Sequence, residues 1–289
     1  MTKYKRIAIG FCLAASLSGY SLIAGEYTEI QVDTLRHKGD LYLLIGQSNM
    51  AGYGKIAAYN DTIPNVWLLK GQDHQLWEKA AEPMVKYATN AHPNDLPSSA
   101  DYPDHFGLHY MFAKKMHEHT PDKCIGLVVN PRGDTSIDEW QPGSQLLDSA
   151  LSRTRLALHS GNWTLKGILW MQGEKDAYGN HAEYREKLIA MVTYLRNALN
   201  SDAAFVAGQI MPIAEYEEWN RDILLLPDCL ENCAVASSEG CSGWFDAIHF
   251  DTNSCNLIGE RFAEKMIKLL AAKEKPRHKK HRKHKRKNY

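Results

Sequence analysis

The sequence lacks several features that would place it in a specialised class of protein. Glycine and proline, at 20 and 11 of 289 residues, are too few for a collagen-like chain. The composition, with 44% hydrophobic and 24% charged residues, is that of a globular protein and excludes a wholly disordered one. No apolar run is long enough to span a bilayer, which excludes a multi-span membrane protein, and no internal repeat is visible. A chain of this length buries roughly three-quarters of its unfolded surface, so its core can form without disulfides.

Net charge is also absent, because opposite charges lie in different parts of the chain. Residues 273–289, a C-terminal tail, carry ten Lys or Arg and one Glu, whereas residues 25–272 carry 21 basic and 33 acidic residues. The tail has nothing apolar to bury before its last residue, so we predict that it is disordered. Its charge density favours contact with polyanions such as acidic glycans, phospholipid headgroups or nucleic acid, and a merely solubilising tail is the alternative.

The N-terminus has the pattern of a secretory signal peptide. A basic segment at residues 3–6 precedes an apolar run at residues 7–17 and small residues near Ala24 and Gly25. We therefore predict a signal peptide at residues 1–24 and a mature domain at residues 25–272 that is secreted to the periplasm or the cell exterior. No transmembrane segment is expected after signal removal. A buried N-terminal helix is the alternative interpretation.

Export would leave five cysteines in an oxidising compartment. Four of them lie late in the chain, at Cys229, Cys233, Cys241 and Cys255, and the fifth is Cys124. We expect two disulfides among the late four, with three possible pairings, and a buried thiol at Cys124. A zinc site is the alternative for the late four, although they lack a C-x-x-C pair.

Apolar, β-branched runs alternate with segments of helical spacing along the mature domain. Strands are predicted at residues 41–45, 66–69, 125–129, 168–171, 205–210 and 234–236, and helices at residues 106–117, 144–158, 181–199 and 253–270. Runs that are apolar throughout suit strands buried on both faces, so we predict a parallel sheet flanked by helices in one three-layer α/β domain. The long, aperiodic segment at residues 71–104 is expected to wall a substrate cleft.

The first predicted strand runs directly into Gly46-Gln47-Ser48-Asn49. In parallel sheets, reactive groups gather where loops leave the carboxyl ends of the strands. A serine in a glycine-containing turn at this position holds its hydroxyl at the sheet edge, which makes Ser48 a candidate nucleophile. An ordinary turn or helix cap is the alternative, since Ser and Asn both cap helices.

A candidate base lies near the other end of the chain. Asp246 and His249 are three residues apart, just before the last predicted helix. One turn of chain can bring this carboxylate to Nδ1 of the imidazole and leave Nε2 to accept the Ser48 proton. Asp251 and Asp176 are alternative acids for the same histidine.

Two further strand ends carry groups that can stabilise an oxyanion. Gln172 follows the fourth predicted strand, and an amide N–H that contacts the developing charge is worth about 10²–10³ in rate. Gly133 follows the third predicted strand, where its backbone N–H can approach a ligand closely. Glu174 and Asp176 could instead form a glycosidase acid/base pair, but two carboxylates on one loop need not flank a bond from opposite sides.

Taken in chain order, the four segments resemble the motifs of the SGNH hydrolases. The resemblance is to the branch that holds sialate O-acetylesterases and the acetylxylan esterases of carbohydrate esterase family 6. It is carried by Gly46-Gln-Ser-Asn-Met-Ala-Gly52, Arg132-Gly-Asp-Thr-Ser-Ile137, Trp170-Met-Gln-Gly-Glu174 and Asp246-Ala-Ile-His249. The fold that this resemblance implies is a flavodoxin-like parallel sheet flanked by helices.

The resemblance also implies roles for particular residues. Ser48 would be the nucleophile, His249 the base and Asp246 its orienting acid. The oxyanion would be held by the amides of Ser48 and Gly133 and by the side chain of Gln172. The implied supporting residues are Gln47, Asn49 and Glu174. Asp134 departs from the family pattern, which has a second glycine there, and it puts a carboxylate near the anion site.

The expected function is that of a secreted serine esterase that removes O-acetyl groups from a carbohydrate, of the sialic acid or xylan type, through an acetyl-enzyme. Serine, imidazole and oriented amides supply every group that acyl transfer needs, so no metal or organic cofactor is expected. Two alternatives remain open at this point. One is an inactive carbohydrate-binding or adhesion module, which Asp134 favours, and the other is a general lipase or thioesterase of the same superfamily.

Overall fold

The computed structural model describes residues 39–56, 61–72, 75–91, 105–244 and 246–274. The predicted signal peptide and residues 275–289 of the predicted tail lie outside the described residues. Lys273 and Glu274, the first two residues of that tail, are the last two residues of a helix. Within the described residues, no helix combines the length and the apolar character needed to cross a membrane.

A seven-stranded sheet forms the middle layer of the domain. Its strands are β1 (Gly39–Gly46), β2 (Val66–Gln72), β3 (Gln75–Lys79), β4 (Cys124–Val129), β5 (Trp163–Met171), β6 (Ala204–Gly208) and β7 (Cys233–Ala236), in the order β3-β2-β4-β1-β5-β6-β7. All neighbouring strands are parallel except β2 and β3, which pair antiparallel at one edge. The predicted flavodoxin-like α/β fold is confirmed, and the antiparallel edge strand is an addition to it.

The centre of the sheet explains where the site forms. Every residue of β1 is buried, as its continuous apolar run predicts. β1 pairs with β4 on one side and with β5 on the other, although both follow it in the chain. On the way from β4 to β5 the chain therefore passes from one side of β1 to the other. A crevice forms where the strand order changes direction, outside the carboxyl ends of the strands.

Helices cover both faces of the sheet. They are α1 (Ser48–Ala51), α2 (His109–His119), α3 (Gln145–His159), α4 (His181–Ala198), α5 (Glu217–Asp222), α6 (Leu226–Cys229) and α7 (Thr252–Glu274). α2 and α7 pack together against one face, where Tyr42 of β1 meets Phe112 of α2 edge-on. Right-handed crossovers place α3 and α4 on the opposite face. Gly259 permits the close approach of α7 to α2, since a Cβ there would lie 2.3 Å from the carbonyl oxygen of Leu108.

The two expected disulfides are absent, because all five described cysteines are free thiols. Cys233 lies in β7, Cys255 in α7, and Cys241 in the connection between them. Burial raises the pKa of the Cys233 thiol to about 12 and that of Cys241 to about 11. Cys124 is buried, as predicted. Among the described residues, no three His, Cys, Asp or Glu side chains are grouped to hold a metal ion, so the zinc alternative finds no support there.

Candidate active site

The turn after β1 brings Ser48 to the edge of the sheet. Gly46 has φ 141°, and a Cβ at this position would lie 2.1 Å from the carbonyl oxygen of Met171, so a larger residue does not fit. The close approach lets the Gln47 N–H donate to that carbonyl at 2.8 Å, while the Arg132 N–H donates to the carbonyl of Gly46 at 2.9 Å. The turn is therefore tied to the ends of both neighbouring strands, and Ser48 follows it as the first residue of α1.

Asp246 and His249 form the predicted pair. Oδ2 of Asp246 lies 2.6 Å from Nδ1 of His249, and Oδ1 accepts the N–H groups of Ile248 and His249. Ala247, at φ 59°, makes the tight turn that folds the carboxylate back onto the ring. Burial raises the pKa of the Asp246 carboxyl, but these N–H groups and the imidazole outweigh it and hold the pKa below its usual value. The carboxylate thus orients the ring and leaves Nε2 as the basic nitrogen.

Asn49, the residue after Ser48, joins the loop that carries His249 to the segment that carries Ser48. Its amide nitrogen donates to the carbonyl of Ile248 at 3.0 Å, and its amide oxygen accepts the N–H of Phe250 at 3.0 Å. The same nitrogen donates to Oε1 of Glu174 at 2.6 Å. The ring of Tyr53 stacks on His249, with centroids 4.2 Å apart and planes 21° apart. Segments some 200 residues apart in sequence are thereby held together around the imidazole.

The candidate nucleophile, base and backbone donor meet in one cleft of about 720 Å³. Ser48, Gly133 and His249 all line it, together with Gln47, Tyr53, Arg132, Asp134, Thr135, Glu139, Glu174, Lys175, Tyr216 and Ile248. None of the described residues of the segment 71–104, which was expected to wall the cleft, lies on it. That segment instead forms the edge strand β3 and a 3-10 turn at Met84–Tyr87. Residues 92–104 lie outside the described residues.

Glu174 is a buried carboxyl on the cleft wall, and its side chain is 8% exposed. Burial raises its pKa, whereas the hydrogen bond from Asn49 and the nearby His249 lower it, and the net change is upward. Oε2 of Glu174 and Oε1 of Gln47 are buried without a hydrogen-bond partner among the described residues. Two of the three predicted supporting residues, Gln47 and Glu174, therefore hold a buried acceptor atom near Ser48.

Gln172 does not reach the cleft. Its amide nitrogen donates to the carbonyl of Thr135 at 2.8 Å and to Oδ2 of Asp176 at 2.5 Å, while Tyr184 Oη lies 2.9 Å from its amide oxygen. A carbonyl can only accept, so the amide is oriented with its nitrogen toward Thr135. Both N–H bonds are used within the protein, which differs from the predicted direct contact of Gln172 with the oxyanion.

Asp134 does not direct its carboxylate at the anion site. Its φ of 54° explains the glycine of the family pattern, and Asp is among the few other residues that tolerate this conformation. Its side chain is 88% exposed and bonds to Nζ of Lys175 at 2.8 Å, and the same Nζ donates to the Asp134 carbonyl at 3.1 Å. The lysine offsets the negative charge that was expected to disturb the oxyanion hole.

The family of the protein follows from its similarity to known proteins. Residues 38–268 match the family model described as carbohydrate esterase, sialic acid-specific acetylesterase. The chain belongs to this family of carbohydrate esterases. The predicted resemblance is confirmed, and the protein is placed among acetylesterases.

This carbohydrate esterase is also similar to individual known proteins. It is 28% identical over 200 residues to the probable carbohydrate esterase At4g34215 of Arabidopsis thaliana, across 64% of this chain and 73% of that one. A solved structure of the Arabidopsis thaliana protein AT4G34215 covers 80% of this chain and 98% of its own, with a TM-score of 0.68 and 23% identity, and has the same fold. Axe2, an acetylxylan esterase of Geobacillus stearothermophilus, has a TM-score of 0.47 and 9% identity over 80% of this chain and 95% of its own.

The other carboxylates of this carbohydrate esterase have structural partners. Oδ2 of Asp176 accepts from Gln172 and from the N–H of Ile137 at 3.0 Å, away from the cleft that Glu174 lines, so the two do not form a glycosidase pair. Asp251 accepts from the N–H of Ser254 and from the Ser242 hydroxyl at the start of α7. Sequence reasoning did not single out the cleft residues Tyr53 and Tyr216. They lie well beyond the ends of β1 at Gly46 and β6 at Gly208, so no strand-end signal marks them.

Proposed function

We propose that this protein is a secreted serine esterase that removes O-acetyl groups from carbohydrates through an acetyl-enzyme. The observation that carries the proposal is the meeting of Ser48, Gly133 and His249 in one cleft, with Nδ1 of His249 bonded to Asp246. Serine, imidazole and carboxylate in this relation are the parts of a nucleophilic acyl-transfer site, whatever fold supports them. The proposed signal peptide at residues 1–24 directs the enzyme to the periplasm or the exterior.

The reaction runs in two halves. Nε2 of neutral His249 takes the proton of Ser48 as Oγ attacks the acetyl carbonyl, and the backbone N–H groups of Ser48 and Gly133 stabilise the resulting oxyanion. Collapse of this intermediate breaks the bond to the sugar oxygen, which takes the proton from His249 and leaves as the free hydroxyl. Water then gives a proton to His249, attacks the acetyl-enzyme and releases acetate with restoration of Ser48.

The size and the lining of the cleft support a carbohydrate as the other half of the substrate. A volume of about 720 Å³ far exceeds an acetyl group, so most of the cleft is left for the alcohol part of the ester. Arg132, Glu139 and Lys175 on its wall supply donors and acceptors that suit sugar hydroxyls. The family description supports sialic acid as the sugar, and xylan is the alternative within the same proposal.

Removal of the nucleophile tests this function. Ser48→Ala should lower kcat by about 10⁶, as loss of a serine nucleophile does in other triads. The measurements are hydrolysis of p-nitrophenyl acetate and acetate release from O-acetylated sialic acid and acetylated xylan. Ser152→Ala, an exposed serine on α3, is the matched control and should retain full activity.

Three results would contradict the proposal in different ways. Activity of Ser48→Ala within tenfold of the unaltered protein would refute the nucleophile assignment. Absence of acetate release from every acetylated glycan by the unaltered protein would favour an inactive binding module. A strong preference for octanoate over acetate esters would favour a general lipase or thioesterase.

A further inference from the structure

Two loops beside the cleft are joined by a set of side-chain hydrogen bonds. The oxyanion loop, residues 132–137, follows β4 and carries Gly133. The clamp loop, residues 172–180, follows β5. Three of its side chains bond to the oxyanion loop: Gln172 to the carbonyl of Thr135, Lys175 to the carbonyl and carboxylate of Asp134, and Asp176 to the N–H of Ile137.

Asp176 is the central member of this set. Its Oδ2 accepts both the Ile137 N–H of the oxyanion loop and the amide N–H of Gln172. The Gln172 amide is held in turn by Tyr184, whose hydroxyl also accepts the indole N–H of Trp170 of β5. The Asp176 carboxylate therefore bonds the oxyanion loop at Ile137 and also bonds Gln172, the residue that follows the central strand β5.

The oxyanion loop transmits a displacement of Thr135 to Gly133. The Thr135 hydroxyl donates to the carbonyl of Arg132 at 2.9 Å and accepts the indole N–H of Trp140 at 3.0 Å. The bond to Arg132 spans the position of Gly133, and the bond from Trp140 anchors Thr135, so a displacement of Thr135 is passed to Gly133. A shift of about 1 Å in a catalytic group can cost about 10²-fold in rate.

We propose that Asp176 is a positioning residue for the esterase reaction, which holds the oxyanion loop through Ile137 and Gln172 and so keeps Gly133 in place at the cleft. This inference rests on the proposed function. Asp176 does not touch the substrate, and Gln172 belongs to the same device instead of donating directly to the oxyanion.

Removal of the carboxylate tests the proposal. Asp176→Ala should lower kcat for p-nitrophenyl acetate by about 10–100-fold and leave KM within about twofold, because the loss falls on the transition state. Asp176→Asn should recover most of the activity, since its single amide oxygen can occupy the place of Oδ2 and accept both hydrogen bonds. Asp202→Ala removes an exposed carboxylate that pairs with Lys273, far along the chain from either loop, and is the control that should not change kcat.

A thionoester substrate separates the oxyanion hole from general damage to the fold. The sulfur of p-nitrophenyl thionoacetate accepts hydrogen bonds weakly, so the hole contributes little to its hydrolysis. Asp176→Ala should lower the ratio of kcat/KM for the oxygen ester to that for the thionoester by about tenfold. A substitution that only loosens the structure lowers both activities equally and leaves their ratio unchanged. An unchanged ratio in Asp176→Ala would therefore overturn the proposal.

A double variant tests whether Gln172 and Asp176 act through the same loop. Gln172→Met removes the amide and keeps the length of the side chain, and its loss in kcat should not add to that of Asp176→Ala. Additive losses would overturn the proposal, as would Asp176→Ala with kcat within twofold of the unaltered enzyme. If circular dichroism shows that Asp176→Ala is unfolded, the test is the ratio of oxygen-ester to thionoester activity in Gln172→Met. An unchanged ratio in that variant would overturn the proposal. Failure of the proposed function is distinct, because it appears as activity that persists in Ser48→Ala.

Discussion

The two loops that bring catalytic groups to Ser48 are held in different ways. The base loop, residues 242–244 and 246–250, docks on the nucleophile segment through Asn49, which bonds to it twice. The oxyanion loop is held by four hydrogen bonds from three side chains of the clamp loop. A loop whose hydrogen bonds to the rest of the site come from one side chain loses them all with one substitution, whereas a loop held by several side chains loses them in steps. We therefore expect abrupt effects on the base side and graded effects on the oxyanion side.

The largest effect expected on the base side comes from Asp246→Asn. The amide cannot accept the Nδ1 proton and two backbone N–H groups as the carboxylate does, and it favours the wrong tautomer of His249. By analogy with the same change in a serine protease, kcat should fall by about 10⁴. Steady-state kinetics on p-nitrophenyl acetate would measure this, with Asp122→Asn, at an exposed position before β4, as the control. A loss smaller than tenfold would mean that another acid orients the histidine.

A smaller effect is expected when the base loop is released without a change to the catalytic groups themselves. Asn49→Ala removes the bonds to Ile248, Phe250 and Glu174, and the displacement of His249 should lower kcat by about 10². The ratio of oxygen-ester to thionoester activity should stay unchanged, because the four hydrogen bonds that hold the oxyanion loop do not involve Asn49. This result contrasts with the fall in that ratio expected for Asp176→Ala. An equal fall of this ratio in Asn49→Ala and Asp176→Ala would contradict the distinction between the two loops.

Much of this arrangement could be predicted from sequence because its signals are local. Residues 41–45 of β1 are apolar throughout and lead into a glycine turn, which places Ser48 without knowledge of the rest of the fold. The pair Asp246 and His249 is three residues apart, so one turn of chain is enough to join them. The helix predicted from residue 106 begins later, at His109, because Phe106 pairs instead with Gly54 in an isolated antiparallel bridge.

The features that the sequence did not predict depend on contacts between residues far apart in the chain. The direction of the Gln172 amide is decided by the carbonyl of Thr135, 37 residues away, and no local pattern encodes that meeting. The edge strand β3 lies in a segment without clear periodicity and is defined by its pairing with β2. The expected disulfides were inferred from spacing and compartment, neither of which shows how the sulfur atoms meet in the fold, where Cys233, Cys241 and Cys255 are buried free thiols.

The smallest effect expected concerns the support of the clamp loop by a charged histidine. Nε2 of His181 lies 2.8 Å from the carbonyl of Ala177, and Nδ1 lies 2.9 Å from Oδ2 of Asp222 in α5. Burial lowers the pKa of this imidazole, but the carbonyl and the carboxylate outweigh burial and raise the pKa above its usual value. An imidazolium can donate to both acceptors at once, so the protonated form ties the clamp loop to α5.

The sign of the resulting pH dependence follows from linkage. In the unfolded chain the pKa of a histidine is about 6.5, so the stabilisation by His181 is fully present below that pH. It is lost as the pH rises through the higher value in the folded protein. His181→Gln should therefore lower Tm by about 2–4 °C at pH 6, equivalent to about 1 kcal/mol in a domain of this size, and by less at pH 9. His119→Gln, at the exposed end of α2, is the control. A deficit in Tm that is constant or grows with pH would show that the proton on His181 does not support the clamp loop.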